Sequence, residues 1–191
     1  MKLRNRTIRI MTAMMISCFL FFIKSYAQDD EDGCSLSFSI PEMALIDIEP
    51  PGLSHLHLTL EAGSESGQPI TAKGSINDNL WINYTSCMAS GAGSRSVSVH
   101  VASGTIPEGV QLILSPSGFS GNGRGTHGIP VGEVILSQTP QTLISGIGRC
   151  FTGDGQNNGH KLNYTLRISD YNSLNFDDSS NLQIAFTLTD N

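Results

Sequence analysis

The sequence predicts an all-β domain, a single antiparallel β-sandwich. Three observations carry that expectation. Short runs that alternate apolar and polar residues recur about every dozen residues, with turn signals between them. No window in the chain after residue 28 holds the apolar period of a helix. The composition agrees, with 20 Gly, 8 Pro and only 15% charged residues, against about 25% charged in an average soluble domain. Such a chain is neither a helical bundle nor a coiled coil, and 191 residues give room for one core. A barrel is the competing closure. A membrane barrel would need more ten-residue alternating segments than the chain offers.

The first 27 residues read as an export address. Lys2, Arg4, Arg6 and Arg9 precede an apolar run from Ile10 to Ile23, and Ser25-Tyr26-Ala27 offers small residues before a cut at Gln28. The run is too short to serve as a transmembrane anchor. Lipidation at Cys18 is the weaker reading, because Met15 stands where such sites carry Leu and the apolar run continues past the cysteine. The expected destination is the periplasm, the cell surface or the exterior. Five of the 11 basic residues lie in this leader and none of the 17 acids does, so the remainder carries a formal charge of −11. That surface repels nucleic acid and anionic membranes. Residues 28–34, with Asp29, Asp30, Glu31 and Asp32, read as an acidic flexible end. Residues 35–191 are the expected sandwich.

Leu36, Phe38 and Ile40 alternate with serines and predict a strand stopped by Pro41. Met43 to Ile48 is a second apolar run, closed by Pro50-Pro51-Gly52. His55 to Leu60 alternates, and Ile70 to Ile76 is a weaker strand before the turn at Asn77-Asp78-Asn79. Leu80 to Thr85 is strongly β-prone, and Val97, Val99 and Val101 mark the next strand. Val110 to Leu114, Val131 to Leu136, Leu143 to Ile147, Leu162 to Ile168 and Leu182 to Leu188 complete the set, with Ser115 to Gly128 read as a glycine-rich loop.

Several patterns imitate functional motifs. Gly123 opens a G-x-G-x-x-G match, but Pro130 and a β-rich run follow where a dinucleotide site needs a helix. The surrounding loop is still the expected recognition loop. Asp154 to Gly159 copies the first half of a calcium loop, but Thr165 replaces the closing Glu, so a tight connection is the better reading. His55 and His57 share a strand face without a third local ligand, and His100, His127 and His160 stand apart in sequence. Gly118-Phe119-Ser120-Gly121 falls short of a nucleophile elbow. Trp81 and Tyr84 fall on opposite strand faces, so at most one is expected in the core, and Trp81 is preferred there. Cys34, Cys87 and Cys150 predict one disulfide, Cys34–Cys87 or Cys87–Cys150, and one free thiol. No catalytic, cofactor-binding or metal-binding residues are assigned.

The leader, the β-rich body, the alternating Leu36, Phe38 and Ile40 near one end and the alternating Leu182, Ile184, Phe186 and Leu188 near the other resemble secreted and cell-surface proteins of Gram-negative bacteria. The chain is loosely similar to pilin and fimbrial-subunit domains. The third cysteine and Pro41 depart from that pattern. The resemblance implies immunoglobulin-like, Greek-key connectivity and a non-enzymatic structural or adhesive subunit that contacts a protein partner or its own copies. A glycan-binding module is the alternative.

Overall fold

The computed structural model describes residues 9–15, 33–51, 58–72, 80–175 and 180–191. The chain divides into two compact units, Met1–Ser39 and Ile40–Asn191. In the first, residues 9–15 are helical, and residues 33–39 join no strand or helix. Leu36 and Phe38 are fully exposed there, as is Ile40 at the start of the second unit. The strand expected at 36–40 is therefore not formed within the chain. Alternation marks a face suited to burial, but among the described residues no strand pairs with this segment.

The second unit is built of antiparallel β-sheet. Its strands are β1 Met43–Glu49, β2 Leu60–Glu61, β3 Thr71–Ala72, β4 Trp81–Cys87, β5 Arg95–Ser103, β6 Val110–Pro116, β7 Arg124–Pro130, β8 Val134–Ile135, β9 Gln141–Phe151, β10 His160–Ile168 and β11 Gln183–Asp190. Nine of them form one sheet in the order β11-β5-β9-β4-β10-β6-β8, with β1 on β4 and β7 on β9, while β2 and β3 pair separately. β4 is the hinge of this arrangement. β1 runs along one edge for its full length, from Met43↔Cys87 to Glu49↔Trp81. The other edge is shared: Trp81 and Ile82 meet the start of β10, and Thr85 and Ser86 meet the end of β9.

Leu80, Ile82, Tyr84, Val97, Val99, Leu114, Leu143, Ile144, Ile147 and Leu162 make the core. The valines of β5 enter it at alternate positions, as their spacing predicts.

Three expectations are corrected. Residues 124–130 are strand β7, not loop, and the glycines are the reason. A Cβ on Gly125 would lie 2.1 Å from the Arg149 carbonyl, and Gly125 sits at φ +102, so only glycine lets β7 pass this close to β9. The exposed loop shrinks to the residues before Arg124. Trp81 and Tyr84 are both buried, at 7% and 3% exposure, because β4 is covered on both faces. Among the described cysteines no disulfide forms. Cys150 pairs with Ser86, one residue out of step with Cys87, so the two thiols point to opposite sheet faces.

Candidate functional site

β11 is the last strand and pairs with β5 alone among the described residues, from Gln183↔Ser103 to Asp190↔Arg95. No described strand pairs with its other edge, and an unpaired edge is the feature that lets a sheet accept another strand. Ile184, Phe186 and Leu188 point toward the core but stay only half-buried.

One buried cation fixes this edge. Arg95 occupies the inward phase of Val97, Val99 and Val101, yet is only 3% exposed. Its Nε donates to Asp190 Oδ1 at 2.6 Å, and its guanidinium also donates to Glu42 Oε1 at 2.9 Å, to the Met43 carbonyl and to Ser86 Oγ. One side chain thus ties the start of β1, the end of β4 and the end of β11 together. Both carboxylate partners are largely exposed, at 62% and 74%, so solvent screens much of the attraction. The main-chain and hydroxyl bonds inside the fold do more of the holding.

A second polar cluster lies at the opposite end of β4. His160 pairs with Ile82 and is fully buried. Its Nδ1 lies 2.8 Å from the Ser117 carbonyl, which assigns the proton to that nitrogen. Its Nε2 lies 2.9 Å from Tyr84 Oη, and Tyr84 also donates to the His127 carbonyl. The single tyrosine proton therefore stands between two acceptors. Phe119 stacks on His127 with ring centroids 3.5 Å apart. Burial holds His160 below its ordinary pKa, with the positive field of His127 adding to the effect and the Ser117 and His127 carbonyls opposing it. Burial raises the Tyr84 phenol, and it pushes the Cys150 thiol up to about 11. Burial thus favours the neutral forms of His160, Tyr84 and Cys150.

The motif-like segments resolve as follows. In the Asp154–Gly159 turn, Asn158 Nδ2 donates to the Asp154 carbonyl at 2.7 Å and weakly to that of Gln156, so an amide occupies the interior that a cation would need. Among the described residues no group of three or more His, Cys, Asp or Glu is placed to hold a metal ion. His55 and His57 lie outside the described residues. His100 is on β5, and it meets neither His127 nor His160 in any described contact. No helix among the described residues is long and apolar enough to cross a membrane.

Arg95 was legible as a charged residue on the core phase of its strand, and this signal was missed. The Tyr84–His160 pairing had no local signal, because 76 residues separate the two.

No family model, curated protein or solved structure matches the chain.

Proposed function

We propose that the protein is an exported, non-enzymatic surface subunit of fimbrial type that assembles by strand exchange. In this reading residues 1–27 are a cleaved leader, and the sheet folds into an immunoglobulin-like sandwich. Residues 36–40 of one copy add to the open edge of β11 in the next. The observation that carries the proposal is the exposure of Leu36, Phe38 and Ile40, at 88%, 86% and 75%, in a segment that joins no strand. Three large apolar residues at alternate positions are costly to leave in water, at about 25 cal/mol per Å². An added strand recovers that area while its main chain pairs with the edge. The half-buried Ile184, Phe186 and Leu188 of β11 supply an incompletely covered apolar surface beside that edge.

The test is the molar mass of the protein purified from its native envelope, by size-exclusion chromatography with light scattering. Wild type is expected as polymers or as a stable complex, and a variant with Leu36, Phe38 and Ile40 replaced by Asn as a monomer. A wild-type monomer at all concentrations rejects the proposal.

A further inference from the structure

We propose that the groove bounded by β1, β4 and the β9–β10 turn binds an organic cation, an alkylammonium or guanidinium group carried on an apolar chain. The groove is open to solvent and has a volume of about 310 Å³. Its floor follows from register. Leu45 pairs with Thr85, and Thr85 with Phe151, which sets an apolar row across three strands. Leu45 and Phe151 are 59% and 45% exposed. One step along β1, on the same face, Asp47 pairs with Asn83, and Asp154 closes the groove from the turn. The site is thus apolar at one end and acidic at the other.

The acidic end is built to accept hydrogen bonds. Asn83 is 5% exposed, its Nδ2 donates to the Asn158 carbonyl at 2.5 Å, and its Oδ1 has no partner. A buried amide oxygen without a donor is costly, and a ligand N–H removes that cost. Among the described residues the salt bridges belong to Arg95, so Asp47 and Asp154 have no cationic partner there. Glu49, the next acid on the same face of β1, is 9% exposed, and burial together with Asp154 and Asp47 raises its carboxyl pKa. Asp154 and Asp47 thus act on Glu49 with like charge, and a cation bound there offsets that repulsion. Phe151 adds an aromatic ring for the cation or its chain.

Other ligands fit less well. A calcium ion lacks three grouped ligands and finds the turn's interior filled by Asn158. A sugar needs donors as well as acceptors, and beside the committed Tyr84 hydroxyl the lining offers few, the Thr85 hydroxyl and the second hydrogen of Asn83 Nδ2.

The same head group can come from a basic protein side chain or from a free polyamine, so calorimetry on the full chain uses both. The probes are a short Lys- and Arg-containing peptide and spermidine, with calcium chloride and a neutral disaccharide as comparisons. Saturable binding of the peptide alone assigns a protein source, and binding of spermidine assigns a free amine. Asp47→Asn with Asp154→Asn is expected to weaken binding about tenfold or more, and Phe151→Ala severalfold. Thr142→Ala, on the exposed face of β9, leaves it unchanged. The proposal fails if neither cationic probe binds at millimolar concentration, if the acid-to-amide variant binds like wild type, or if calcium competes for the site. Assembly by strand exchange is read separately by molar mass, so either proposal can fail alone.

Discussion

Asn79-Leu80-Trp81-Ile82-Asn83-Tyr84-Thr85 and Asn181-Leu182-Gln183-Ile184-Ala185-Phe186-Thr187 share one local pattern, N-L-x-I-x-aromatic-T. Their fates differ. In β4, Leu80, Ile82 and Tyr84 are 5%, 0% and 3% exposed, and both edges of the strand are paired. In β11 the matching Leu182, Ile184 and Phe186 are only half-buried, and one edge is paired. The pattern specifies a strand and the face it turns inward. Neighbours decide how deeply that face is buried. β4 gains them from β1, β9 and β10, whereas among the described residues β11 pairs with β5 alone, and the proposed partner strand would pair its other edge.

The largest expected difference is in paired truncations. Ile82→Ala should cost about 3–4 kcal/mol and Ile184→Ala about half that, because a half-buried site leaves a smaller cavity. Urea midpoints measure both, and equal losses would erase the distinction between the strands. Arg95→Met probes the link between them. It should cost about 2–3 kcal/mol, since the Met43 carbonyl and Ser86 Oγ lose their donor. Asp190→Asn should cost under about 0.5 kcal/mol, because that carboxylate is exposed.

A pH series sharpens the β4 side. Burial depresses His160 below the ordinary histidine value of 6.5. The unfolded chain therefore takes the proton first, and the stability present above about pH 6.5 is lost as pH falls through and below that value. Thermal midpoints should decline with acidification in this window, and His160→Gln should flatten the decline. The smallest expected effect is Thr187→Lys on the exposed face of β11. It should change monomer stability by under about 0.5 kcal/mol while weakening assembly, since edge lysines oppose strand addition.

β5, β10 and β11 were legible from alternation, and β4, β6 and β9 from short β-prone apolar runs, because each carries its signal in its own residues. β7 was not. Gly125 and Gly128 resemble a loop in sequence and become part of a strand only because β9 lies close enough to demand residues without side chains. Leu36, Phe38 and Ile40 err the other way, strand-like in pattern but in no strand among the described residues. The groove was invisible for a related reason. Asp47, Asn83 and Asp154 meet only after three strands have paired, and nothing in the spacing of residues 47, 83 and 154 announces it.

The central claim is that residues 36–40 and the open edge of β11 complete each other between copies. Amide hydrogen exchange, followed from dilute protein to the native assembly, tests it most directly. The account predicts β4 amides protected throughout, while residues 36–40 and alternate amides of β11 gain protection together as copies associate. Residues 36–40 exchanging at unstructured rates in the assembled state would contradict it.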